Sequence, residues 1–210
     1  MMFEHDQPIS ARRTTPTRHT LLETPLLTDT DIRPRIWTEL QRAVNDRHHE
    51  WRTPVLATVG ADGLPQARTV VLRQALVKRS QLQIYTDSRS PKVAEMAATP
   101  GVMLTFWSKR LGWQLRVRAT TVVQHTGPEV DAIWAKVSQS PAAGDYLSAH
   151  APGELVGDLG VSEAASPRVA PAHHLCIVTA QVQSIDWLEL ARSGHRRAFV
   201  QADNWSWRVP

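Results

Sequence analysis

The 210-residue sequence has a single cysteine, Cys176, only two tyrosines and three phenylalanines, and no long apolar run. One thiol rules out a disulfide framework and any CxxC redox or zinc pattern, so a reducing compartment, the cytoplasm, is the expected location. A membrane helix needs roughly 18 consecutive apolar residues, whereas the runs here are short ones such as Val70-Val71-Leu72. The N-terminus has no apolar h-region, so neither a secretory leader nor a membrane partner is expected. Neither sign of charge dominates: 24 Lys and Arg against 20 Asp and Glu leave +4. That excess is too small, and has too little of a basic stripe, for a nucleic-acid partner. There is no GxGxxG after a strand, no GxxxxGKS/T, no HExxH and no G-x-S-x-G elbow, which removes the common dinucleotide, P-loop, zinc-protease and serine-hydrolase signatures. His48-His49 and His173-His174 are adjacent pairs whose side chains diverge, so no metal site is expected.

Against those gaps stand eight tryptophans. So large a flat ring serves as a core plug, as an interface residue or as a platform for a planar ligand. Charged residues at 21% and hydrophobic ones at 42% are ordinary globular usage, which excludes wholesale disorder.

Residues 1–30 carry Pro8, Pro16 and Pro25 among many threonines without periodicity, and are expected to form a flexible tail. A helix is expected from Asp31, as its cap, to about Arg47, with Ile36, Leu40, Ala43 and Val44 at helical spacing. Strand texture follows: Val55 to Val59, the turn Gly60-Ala61-Asp62-Gly63, then Gln66 to Ala75, together a hairpin. Gln81 to Thr86 is a third strand. Ser90-Pro91 opens a short helix that Thr99-Pro100-Gly101 stops, because serine caps well and proline suits the first helical position. Further strands are expected at 102–107, 113–123, 175–185, 197–201 and 205–209, with a helix over 128–137 and loops or short turns over 138–172. Many strands with only short helices between them predict a mainly β, antiparallel barrel with helical additions, spanning residues 31–210 as one domain.

Two places carry chemistry. On the expected strand Gln66 to Arg73, alternation puts Arg68 on a face with Val70 and Leu72. Arg68 either snorkels to water from the strand end or meets an anion at a barrel rim. At Ser90-Pro91-Lys92 a lysine sits in the first turn of a helix, where the positive dipole end disfavours it unless an anion is near. It is either a solvated surface lysine or part of a phosphate site built from backbone amides, cap hydroxyl and ammonium together.

Taken in order, Ala57-Thr58-Val59, Arg68-Thr69-Val70-Val71-Leu72-Arg73, Tyr85-Thr86-Asp87, Ser90-Pro91-Lys92 and Gln114-Leu115-Arg116-Val117 closely resemble the pyridoxamine 5'-phosphate oxidase family of FMN-binding split barrels. The likeness is strongest over residues 54–119 and extends to the C-terminus. It implies a six-stranded antiparallel split β-barrel, a homodimer with FMN at the interface, and oxidoreductase chemistry on a small substrate. It assigns the FMN phosphate to Arg68, Ser90 and Lys92, the ring to Thr69, Val70 and Val71, the ribityl chain to Tyr85 and Thr86, and the polar ring edge to Gln114. Trp187 and Arg197 match a tryptophan and arginine that reach the partner subunit's flavin, although Trp187 equally fits a core plug. Arg73 replaces the lysine that faces the substrate phosphate. Pro91 stands where the family has a phosphate-binding arginine, and its substrate-phosphate tyrosine, arginine and serine fall on Ile133, Val137 and Pro141. Flavin binding without vitamin B6 oxidation is therefore the expectation, with a rearranged B6 phosphate oxidase or a non-enzymatic FMN or haem binder as alternatives.

Overall fold

A computed structural model describes residues 28–155 and 173–210. Most of the expected N-terminal tail, and the part of the loop-rich stretch from 156 to 172, lie outside the described residues.

The first helix, α1 (Asp29–Asn45), starts earlier than Asp31 because Thr28 is its cap. Asp31 instead accepts from the Thr28 backbone N–H at 2.9 Å and from its hydroxyl at 2.7 Å, the reciprocal half of a capping box. Ile32, Ile36, Leu40 and Ala43 form a single fully buried stripe along α1, at the spacing one helix face requires.

Among the described residues nine strands follow, with α2 (Pro91–Ala98) and α3 (Pro128–Val137) between them: β1 (Val55–Val59), β2 (Pro65–Thr69), β3 (Leu72–Leu76), β4 (Gln81–Asp87), β5 (Gly101–Ser108), β6 (Trp113–Gln124), β7 (Leu175–Glu189), β8 (Arg196–Gln201) and β9 (Asn204–Arg208). All pairings are antiparallel, in the order β2-β1-β5-β6-β7-β4-β3, with β8 on β7 and β9 on β8.

The expected single strand from Gln66 to Ala75 is two strands. β2 pairs with β1 and β3 pairs with β4, so the chain changes partner at Val70-Val71, where the Val70 N–H bonds to the carbonyl of Pro54. The two ends of the strand order are thus consecutive in the chain. Counting β2 and β3 as one bent strand gives six strands curled into a barrel split at this seam.

Partners directly opposite in an antiparallel pair share a face, so the register sorts the side chains. Leu56, Leu104, Val117, Ile185 and Val200 lie in one row and all are buried, which defines the inner face. Tryptophans fill much of it: Trp51, Trp113 and Trp187 are fully buried. Trp51 meets Phe106 at 6.0 Å and Trp113 at 6.4 Å, and Trp113 meets Trp187 edge-on at 5.2 Å. Each such ring removes on the order of 200 Å² from water, roughly 5 kcal/mol of gross burial. Three of the eight tryptophans are thus core plugs. No helix among the described residues is long and apolar enough to cross a membrane.

Candidate functional site

Arg68 lies opposite Leu56 on β1, so its side chain starts on the inner face, at the rim. It neither reaches freely to water nor stands alone. One terminal nitrogen donates to the Thr58 hydroxyl, and the other donates to Glu95 at 2.9 Å. The Thr58 hydroxyl in turn donates to the same Glu95 oxygen at 2.5 Å. A closed triangle of side chains therefore ties β1 and β2 to α2.

The sequence places α2 through Ser90 and Pro91, and the structure starts it there, with Pro91 at the first helical position. Ser90 is buried and makes no capping hydrogen bond; its hydroxyl instead accepts from the Lys92 ammonium. Lys92 is held below the usual lysine range, first by burial and then by the charge of Arg68. Two cations from different elements are thus within electrostatic reach at one helix N-terminus. Lys92 also feels Cys176 and Asp87, which puts the end of β4 beside it. Thr86 is buried and pairs with Cys176 across β4 and β7. Cys176 is wholly buried, and burial pushes its thiol up to about 11, so it is an inert neighbour.

This donor set fits a phosphate. Two repelling cations, a buried serine hydroxyl released from capping and a helix N-terminus are what a dianion requires. Arg68, Thr86, Ser90 and Lys92 are brought together.

Other assigned residues fall elsewhere. Thr69 is exposed, Val70 is buried and Val71 half-buried at the β2–β3 seam. Arg73 occupies a bulge, where the register shifts between Leu72 and Gln74, and bulges re-aim side chains. Its guanidinium lies 5.8 Å from the centre of the Tyr85 ring and its charge is felt by Tyr146, while its Nε is buried without a partner. The Tyr85 hydroxyl accepts from Gln74 at 3.2 Å.

Gln114 pairs with Trp107 and Leu188, and Leu188 with Arg197. That row alternates with the buried Trp113 and Leu115, so Gln114 and Arg197 face outward, opposite to Arg68. Within one chain they do not converge on the Arg68–Lys92 group. Arg197 is bonded to Asp186 at 2.9 and 2.7 Å, and Arg116 reaches the same carboxylate. Trp187 points inward and is fully buried against Trp113. The parity of β7 places it in the core of this chain, the plug position.

Sequence reasoning passed over Glu95, although its position three residues after Lys92 puts both on one helix face. It also missed Tyr146, which lies on a 3-10 turn (Pro141–Tyr146) whose contact with Arg73 no local pattern announces. A separate cavity of about 220 Å³, lined by Arg33, Trp37, Ser184 and Asp203 among others, contains none of the assigned residues.

Comparison with known proteins bears on the domain and the fold. Residues 34–125 match the family model of the pyridoxamine 5'-phosphate oxidase, FMN-binding domain. A pyridoxine/pyridoxamine 5'-phosphate oxidase of Thermosynechococcus vestitus is 38% identical over 115 residues, 55% of this chain and 52% of that protein. A protein of the same name from Azorhizobium caulinodans is also 38% identical over 115 residues, 54% of this chain and 53% of that protein. The chain spans about half the length of these curated relatives. Among solved structures, a pyridoxamine 5'-phosphate oxidase-related, FMN-binding protein from Nostoc punctiforme superposes with a TM-score of 0.66 at 22% identity, covering 85% of this chain and 96% of that one. PhzG from Burkholderia lata, solved with tetrahydrophenazine-1-carboxylic acid, gives 0.60 at 19%, covering 88% and 93%. At these identities the likeness is one of fold. Residues 34–125 are thus similar to the pyridoxamine 5'-phosphate oxidase, FMN-binding domain, and the chain shares the fold of FMN-binding split-barrel proteins.

Proposed function

We propose that this chain is an FMN-binding flavoprotein and an oxidoreductase for a small substrate, working as a homodimer, with the FMN phosphate held by Arg68, Ser90 and Lys92. The observation that carries this reading is the convergence of Arg68 and Lys92 on the α2 N-terminus, where burial and then the charge of Arg68 hold Lys92 below its usual range. A phosphate dianion removes that conflict and supplies an acceptor for every donor present.

FMN, when bound, supplies two-electron transfer at its N5 position, so the protein's part is orientation and electrostatics. Arg68, Lys92 and the Ser90 hydroxyl fix the phosphate end. Tyr85 and Thr86 border the ribityl chain, and the backbone from Thr69 to Val71 flanks the ring. Gln114 both donates and accepts, as the polar ring edge requires. Because Gln114 and Arg197 face away from Arg68, a second copy of the chain is needed to bring both sets to one ligand. The same outward surface exposes Val55, Val59 and Trp107, apolar area that suits burial in a dimer. Arg73, re-aimed by its bulge, offers a cation to an anionic substrate group.

A second reading, oxidation of pyridoxine or pyridoxamine 5'-phosphate, is favoured by the names of the curated relatives. Against it stand Ile133, Val137 and Pro141 at the positions of the expected substrate-phosphate partners. Peroxide release from FMN-loaded protein given either vitamer separates the two readings. The phosphate site is tested by Arg68→Ala combined with Lys92→Ala. FMN affinity should fall about 100-fold, the loss of two charge-assisted contacts, while affinity for riboflavin, which has no phosphate, stays within about twofold. Unchanged FMN affinity in the double variant would remove the assignment.

A further inference from the structure

The Arg68–Glu95–Thr58 triangle presents a conflict, because a carboxylate stands beside cations that are to receive an anion. We infer that Glu95 is the resident counter-ion of the phosphate-binding pair: it holds Arg68 in its binding position when no ligand is present, and it limits how tightly a phosphate is then held. This rests on the phosphate-site reading above.

Three observations support it. Glu95 receives Arg68 at 2.9 Å with both side chains largely sheltered, 27% and 12% exposed. Its charge also reaches Lys92, after that of Asp87, so Glu95 is paired with Arg68 and acts on Lys92 from a distance. The triangle uses one N–H from each terminal nitrogen of Arg68, which leaves three of the five guanidinium donors for a ligand. Arg68 is therefore pinned without being used up. Thr58 is the fulcrum: its buried hydroxyl accepts from Arg68 and donates to Glu95.

A purely mechanical account, in which Glu95 only staples α2 to the β1–β2 hairpin, makes different predictions. Glu95→Gln keeps an oxygen acceptor for both Thr58 and Arg68 and removes only the negative charge. On the counter-ion account a phosphate no longer competes with a carboxylate a few ångströms away, and FMN affinity rises by about tenfold after screening. Riboflavin affinity does not move. Ligand-free Glu95→Gln protein melts lower than the parent, because Arg68 loses its paired carboxylate and repels Lys92 with only Asp87 left to compensate, and inorganic phosphate raises its melting temperature more than the parent's. On the stapling account, FMN and riboflavin affinities fall together and phosphate gives no extra protection.

Thr58→Val supplies an independent arm, since it keeps every charge and cuts the two sides of the triangle that meet at Thr58, leaving only the Arg68–Glu95 pair. It should weaken FMN several-fold with riboflavin unaffected. The experiment is titration of FMN and riboflavin into parent, Glu95→Gln and Thr58→Val proteins. If the parent does not prefer FMN to riboflavin, the phosphate-site reading fails and takes the inference with it. A parent that prefers FMN, together with a Glu95→Gln variant that binds FMN no more tightly, overturns the counter-ion role alone. A Thr58→Val protein with parental FMN affinity overturns the pinning of Arg68.

Discussion

Asp186 receives Arg197 and Arg116 on the outer face of the barrel. Burial pushes its carboxyl up, but the hydrogen bonds from the two guanidinium groups outweigh it, and the group lies below its ordinary 3.8. Glu39 is displaced the same way, with burial opposed by His49 and Arg110, and so is Asp87, with burial opposed by Arg89. A carboxylate depressed in the folded state contributes stability above its unfolded pKa, and that contribution is lost as pH falls through the lower folded value. The melting temperature should therefore be flat from about pH 7 to 5 and decline once pH drops below about 4. Asp186→Asn should melt lower than the parent at pH 7 and lose less on acidification; a parallel acid limb in the two proteins would show that Asp186 is not part of it. Trp187, the next residue, shows what was hidden in the sequence. The expected strand stops at Ile185, whereas β7 runs on to Glu189, and nothing local shows which parity faces the core. That depends on pairing with β8, eleven residues on, and with β6, 72 residues back.

Among the elements, α2 was readable because its signals are local: serine cap, proline at the first turn, and a Thr99-Pro100-Gly101 stop. The β2–β3 break was not. Gln66 to Ala75 contains no glycine or proline, and the chain switches partner there for a reason of global topology, closing the barrel. The bulge at Arg73 was hidden for the same cause, and with it the contact to Tyr146. The β5–β6 turn, by contrast, depends on one residue. Gly112 has φ +67°, and a Cβ there would lie 2.8 Å from the Leu190 carbonyl oxygen; the Gly112 carbonyl itself accepts from the Leu190 N–H at 2.7 Å. Gly112→Ala should cost about 2 kcal/mol or more from strain and clash together. Urea unfolding measures it, and a loss below about 0.5 kcal/mol would mean that the turn relaxes freely.

For the molecule as a whole, the register separates the assigned residues into an inward set around Arg68 and an outward set around Gln114. A protein that uses both on one ligand must associate. Trp107→Glu places a charge in the exposed apolar surface beside Gln114, and a buried unpaired charge is costly at an interface. Sedimentation should show the parent as a dimer and the variant shifted toward monomer, with FMN affinity falling in step; a variant that stays dimeric with parental affinity would put the interface elsewhere. The most direct measurement is the affinity of the purified parent for FMN and for riboflavin, read by titration and by flavin absorption at roughly 370 and 450 nm. The Arg68–Ser90–Lys92 site predicts that FMN binds at least about 100-fold more tightly than riboflavin. Equal affinity for the two, or no flavin binding at all, would contradict it.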